Sequence, residues 1–213
     1  MINVKSHTTR RGRPSLARMA AIEREILSTA GDLFLLEGFD VISMEKIARA
    51  AAVSKTTLYD RFPSKEALLN AVIRDRISRW SQIAGEYDHL MPRELGARLR
   101  HHATTIARTS NLADVKGFQR LIFANAERFP DLAKIMYEAG HLYIVDFICR
   151  DIEAETARDG QLARDPKGAA AHFVSAVTGW IIQEGLAAPL TDEQIEAGAC
   201  RCAELFLAAR SAW

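Results

Sequence analysis

Residues 43–69 read SMEKIARAAAVSKTTLYDRFPSKEALL, with serines at 43, 54 and 64. Each serine stands just ahead of a segment with helical rather than alternating apolar spacing. Each is therefore read as an N-cap, its hydroxyl accepting from an amide two or three residues on. The helix between Ser54 and Pro63 is then at most seven or eight residues long. Pro63 closes it, because the residue before a proline is pushed out of helical geometry. Inside it Leu58 and Phe62 lie four apart on one face, which leaves Lys55, Thr56, Thr57, Tyr59 and Asp60 largely outside.

Two short helices joined by a tight turn and braced by longer ones form a helix-turn-helix. The second can be short, since only its first residues need to enter a major groove about 12 Å wide. Its start offers a lysine for phosphate or guanine, hydroxyls for base edges, a threonine methyl for thymine and a tyrosine hydroxyl for phosphate. Ordinary packed helices with polar outer faces share this spacing, so spacing alone leaves both readings open.

Outward from this stretch, almost every segment keeps helical periodicity, and the expected fold class is all-α. A first helix spans 16–37, with Ile22, Ile26, Ala30, Leu33 and Phe34 as its buried stripe and Gly38 as its stop. Ser64 caps a long fourth helix, in which Leu68, Leu69, Val72, Ile73, Ile77, Trp80 and Ile83 recur at three and four until Met91 and Pro92 break it. Body helices follow at 93–108, 115–128, 130–157, 166–186 and 192–209, the last opened by a capping box of Thr191 and Gln194. The expected organisation is a basic arm (1–17), a three-helix helix-turn-helix head (18–78) and a helical bundle for ligand binding and dimerisation (79–213), reached through the long fourth helix.

The chain has 213 residues, 48% of them hydrophobic, with a net charge of only +1. That balance hides an asymmetry: residues 1–80 carry 14 Lys/Arg against 9 Asp/Glu, and the remainder 14 against 18. A polyanion-facing head on a neutral-to-acidic body fits such a split. The three cysteines, Cys149, Cys200 and Cys202, form no C-x-x-C pair, and no apolar run is long enough to span a bilayer. These features point to a soluble cytoplasmic protein with reduced thiols and no membrane partner.

The segment 43–69 closely resembles the DNA-binding segment of the TetR (tetracycline-repressor) family of bacterial transcription regulators, whose usual form is Ser or Thr, then I-A-x-x-A-G-V-S, then x-x-T-L-Y-x-x-F-x-x-K-E-x-L. The resemblance implies that Ser43 opens the second helix, that Ser54, Lys55, Thr56, Thr57 and Tyr59 belong to the recognition helix, and that Lys65 meets a phosphate. It also implies a homodimer on double-stranded, palindromic operator DNA, with a body that binds a small-molecule effector of unknown identity. Repressor is the expected role. Two positions depart from the pattern. Ala52 stands where the family has glycine, at a turn position where positive φ costs an L-residue about 1 kcal/mol or more, so a slightly different turn is expected. Asp60 is expected to face a Lys or Arg of its own subunit, or to reject some operators. The N-terminal RRGRPS resembles the AT-hook core, which implies that Arg11 and Arg13 reach a narrow minor groove.

The body is similar to the AcrR-like or AefR-like branch of the family. Phe118, Phe123, Met136, Tyr137, His141, Tyr143, Phe147 and Trp180 are candidates to line its pocket, each with core packing as the plainer role. Phe173, Val177, Trp180, Ile195, Ala199, Cys202 and Phe206 form apolar stripes on the last two helices, suited either to a monomer core or to a dimer surface. A second function class is a di-iron-like oxidoreductase, because Glu86-x-x-His89 and Glu138-x-x-His141 repeat the ligand spacing of such bundles. The position of Glu86 and His89 just before Pro92 argues against it, and no nucleophile elbow, P-loop or dinucleotide fingerprint is present. The expectation is a regulator rather than an enzyme, with no cofactor and no metal.

Overall fold

The computed structural model describes residues 16–85, 92–161 and 163–213. Among these the only regular structure is helical. The elements are α1 (Leu16–Glu37), α2 (Met44–Ala50), α3 (Lys55–Arg61), α4 (Lys65–Gly85), α5 (Leu95–Asn111), α6 (Ala113–Asn125), α7 (Pro130–Ile135), α8 (Leu142–Asp159), α9 (Pro166–Ala187) and α10 (Asp192–Ala208). No helix among the described residues is long and apolar enough to cross a membrane. The chain divides into two compact units, one up to Leu68 and one from Leu69. Helix α4 therefore gives its first turn to the former and the rest to the latter.

In the first unit α1, α2 and α3 bury Ile26, Ala30, Phe34, Ile47, Ala48 and Leu58. The α1 stripe is narrower than its periodicity suggests, since Ile22 and Leu33 are only half-buried. Gly38 ends α1 at φ +88°, its amide donating to the Phe34 carbonyl. Left-handed φ is open to glycine at little cost, which is why the helix can stop there.

In the second unit α5, α8, α9 and α10 share one apolar core, in which Leu99, Ile148, Phe173, Val177, Ile195 and Ala199 are each at most 1% exposed. Burying one large apolar side chain contributes roughly 1.5–3 kcal/mol. This burial corrects the expected dimer surface. Phe173, Val177, Ile195 and Ala199 face the protomer's own core, and Phe206 packs on Phe173 at 5.0 Å and on Trp213 at 4.4 Å. Trp180 lies across the backbone of Gly198, where a Cβ would fall 1.9 Å from the indole, and Cys202 packs half-buried against the same core. Periodicity marks this stripe but does not tell whether the protomer's own core or a second subunit covers it.

The segment expected as one helix over 130–157 runs through as α7 and α8 but is interrupted by a π-helical turn, Met136–His141. Such a turn closes i→i+5 hydrogen bonds in place of i→i+4 and is found mostly as a single-turn insertion within an α-helix. The caps are local: Thr191 and Gln194 exchange hydrogen bonds as a capping box, and Glu94 accepts from Gly96 and Ala97 at the start of α5.

Candidate nucleic-acid interface and interior cavity

The start of α2 is set by Ser43, whose Oγ accepts from the Lys46 amide at 3.2 Å. The end of α2 forms a Schellman motif: the Val53 amide donates to the Ala48 carbonyl at 2.9 Å and the Ala52 amide to Arg49 at 3.2 Å. That motif requires a left-handed residue at 52, and Ala52 adopts it at φ +53°, alone among non-glycine residues described. The turn thus keeps the geometry normally given to glycine, with a Cβ strain of about 1 kcal/mol.

Ser54 then caps α3, accepting from the Thr57 amide at 3.0 Å and sharing a 2.8 Å hydrogen bond with the Thr57 hydroxyl. Leu58 (0% exposed) and Phe62 (6%) anchor the helix, while Thr56 and Tyr59 are exposed. Lys55 is exposed as well, with its ammonium 3.2 Å from Glu45 of α2. The start of α2 and Lys55 hold the Glu45 carboxyl below its ordinary range. Nothing in the sequence spacing singles out Glu45, because the pair forms only when α2 and α3 fold together. Asp60 is exposed and meets no Lys or Arg among the described residues, contrary to the expected cation partner.

Lys65 differs from expectation. Its Nζ donates to the carbonyls of Phe39, Asp40 and Ile42 at 2.7, 3.3 and 3.0 Å and sits 4.5 Å above the Phe39 ring. An ammonium has three protons, so none is left for a phosphate. Lys65 ties the loop after α1 to the start of α4, where Ser64 caps by accepting from the Ala67 amide. Arg11 and Arg13 lie outside the described residues, as do Glu86 and His89.

Wholly within the second unit, α4, α5, α6, the π turn, α8 and α9 line a partly open cavity of about 230 Å³. Of the candidate pocket residues, Met136, His141, Tyr143 and Phe147 line it. Phe118 does not reach it: the ring is fully buried, edge-on to Trp80 at 6.0 Å. Phe123 (66% exposed) faces outward, Trp180 is taken by Gly198, and Tyr137 (55% exposed) touches the site only by stacking on His141 at 5.3 Å. Sequence reasoning missed His101, His102, Ser110 and Gln119, which also line the cavity. The adjacent His101 and His102 both line it, their rings edge to face at 6.2 Å.

His102 is part of a buried network. Its Nε2 is 2.7 Å from Asp151, which also receives a hydrogen bond from Arg98. The carboxylate alone would favour an imidazolium, but Arg98 already holds that charge. Burial, His101 and Arg98 together push the His102 pKa down to about 4. Burial likewise lowers the pKa of His141. Glu138 lies near Lys134 at the surface, away from the cavity, and among the described residues no three His, Cys, Asp or Glu side chains converge to hold a metal ion.

Residues 26–72 match the family described as bacterial regulatory proteins, tetR family, and residues 97–211 match the AefR-like transcriptional repressor, C-terminal domain. The chain is 27% identical to a TetR-family transcriptional regulator of Mesorhizobium loti, over 90% of this chain and 98% of that one, with a TM-score of 0.79. It is 33% identical to the flavonoid-responsive regulator FrrA, over 89% and 97% of the two chains, with a TM-score of 0.69. The curated relative RutR, an HTH-type transcriptional regulator of Escherichia coli, is 47% identical over 62 residues, and the chain spans only 29% of its length. The helix-turn-helix geometry, both family matches and the near full-length likeness to FrrA agree, and the chain belongs to the tetR family of bacterial regulatory proteins.

Proposed function

We propose that this protein is a ligand-responsive repressor, not an enzyme, which acts in the cytoplasm as a homodimer on a palindromic operator. The observation that carries the reading is the presentation of α3. Ser54 fixes its start, Leu58 and Phe62 fix its underside, and Lys55, Thr56 and Tyr59 are left outward. A helix held this way can enter a major groove by its N-terminal end, with the two subunits' helices ~34–36 Å apart. Lys55 would exchange Glu45 for a phosphate or guanine, while Thr56 and Tyr59 meet base edges and backbone.

The dimer surface is drawn on the outward face of α9 and α10, where Ser175, Ala176, Gly179, Ala197 and Arg201 are exposed. Small residues there allow close helix approach. A ligand in the cavity would release the operator by favouring one subunit arrangement, and the coupling can be no larger than its differential affinity for the two. The name of FrrA, a flavonoid-responsive regulator, supports a small-molecule response.

Selection of bound duplexes from a random pool tests the reading. Enrichment of a palindrome with half-sites one turn apart supports it, and enrichment of nothing above background ends it. With an operator in hand, the double variant Thr56→Ala, Tyr59→Phe should bind about 10- to 100-fold more weakly at unchanged melting temperature.

A further inference from the structure

The cavity of the second unit combines two properties that together define what fits it. First, it has no fixed charge: among the described residues no Asp, Glu, Lys or Arg lines it, and its walls include Ile77, Trp80, Ile106, Phe147 and Val174. An ion entering such a place loses its hydration without gaining a counter-charge. Second, three polar lining residues are more than nine-tenths buried: His102 (7% exposed), Gln119 (8%) and Ser110 (9%). The side chains of Gln119 and Ser110 make no hydrogen bond to a described residue, and their polar atoms keep access to the cavity rather than being sealed in the protein interior. His102 uses only Nε2. Because Asp151 is already bridged by Arg98, it accepts the Nε2 proton, which leaves Nδ1 as a bare acceptor without a protein partner among the described residues. Phe147 stands edge-on to that imidazole at 5.4 Å and fixes its plane.

The volume shows what fits inside it. An apolar cavity of about 150 Å³ holds a benzene ring. At about 230 Å³ this one is half as large again, enough for two fused rings.

We infer that the cavity takes an uncharged aromatic compound of about two rings, which donates a hydroxyl proton to His102 Nδ1 and places a second polar group between Gln119 and Ser110. The fixed tautomer makes His102 the specificity-determining residue: it accepts from a hydroxyl but offers nothing to an ether or a carboxylate. Burial keeps that imidazole neutral, with a pKa near about 4, so the acceptor persists at neutral pH. The inference rests on the ligand-responsive reading only in supposing that the cavity is filled; it is silent on which DNA is bound.

Four probes of one skeleton test it on the full chain at pH 7: 2-naphthol, 2-methoxynaphthalene, 2-naphthoate and (2-naphthylmethyl)ammonium. Binding is read by calorimetry and by the fluorescence of Trp80, the one tryptophan among the described residues that lines the cavity. The expected result is 2-naphthol bound about 10-fold or more tightly than each of the other three. In His102→Phe the preference for 2-naphthol over its methyl ether should fall to about one, whereas Gln119→Leu should keep both that preference and the affinity within about two-fold, because 2-naphthol has no second polar group to meet Gln119. If His102→Phe fails to fold, the four-probe ranking on the unaltered chain decides. Equal binding of the ether, binding of either ion as tight as 2-naphthol, or no binding of any probe below about 1 mM overturns the inference. Operator binding is measured in parallel. A chain that grips an operator and ignores all four probes loses this inference and keeps the regulator; one that prefers 2-naphthol and selects no DNA does the reverse.

Discussion

The head and the body of this chain treat polar side chains in opposite ways. In the head, Ser43, Ser54 and Ser64 each accept from an amide three residues on, and Lys65 gives its three protons to three carbonyls. In the body, His102, Ser110 and Gln119 are buried more deeply than any of those four, yet face a cavity with bonding capacity unfilled. Polar groups satisfied within the chain hold a surface in shape so that other groups can be presented. Polar groups left open in a buried place are themselves the means of recognition.

The largest expected effect probes the body. The pKa of His102 is about 4 in the folded chain against an ordinary 6.5, so below pH 6.5 the unfolded state takes a proton that the folded state refuses. Stability is then fully present above pH 6.5 and is lost as pH falls towards 4, by roughly 3 kcal/mol. Urea melts across that window should show the decline, and His102→Phe should flatten it. A level profile in the unaltered chain would mean that the imidazole protonates in place beside Asp151, Arg98 and His101, and the contrast with the head would weaken.

Next is Lys65→Met, which strips three carbonyls of a shared donor and should lower stability by about 2 kcal/mol. The slope of log operator affinity against log salt should not change, since no phosphate contact is lost. A slope shallower by about one, with stability intact, would return Lys65 to the DNA surface. Third, Ala52→Gly relieves the left-handed alanine and should stabilise the chain by about 1 kcal/mol, read from the urea midpoint. A loss of stability would show that Cβ packing outweighs the strain. The smallest effect is expected from Glu45→Gln, which frees Lys55 and removes an acid near the groove. Fluorescence anisotropy should find operator binding about two- to five-fold tighter, and weaker binding would mean that Glu45 positions Lys55 instead of competing for it.

The caps of the head were legible because each is a contact over three residues, and Pro63 acts on its immediate neighbour. Phe62, held at φ −131° and ψ 96°, ends α3 where the proline rule places it. Ala52 was marked only by the family resemblance, which has glycine there, and the different turn expected of it does not occur: Ala52 takes the left-handed geometry itself. Lys65 was not legible, because its carbonyl partners lie 23 to 26 residues earlier in the chain. The same holds for the cavity wall. His102 and Asp151 are 49 residues apart, and Gln119 looks like any polar position on α6 until α5 and the π turn close over it.

The sequence by itself determined the helices, their caps, the helix-turn-helix and the outward set Lys55, Thr56 and Tyr59, because those follow from contacts within a few residues and from helical periodicity. Tertiary structure alone decided that the apolar stripes of α9 and α10 meet the protomer's own core, which aromatic side chains reach the cavity, and that Lys65 braces a loop. Each of these depends on which surfaces meet across tens of residues, and an apolar or basic side chain carries no local sign of the partner it will find.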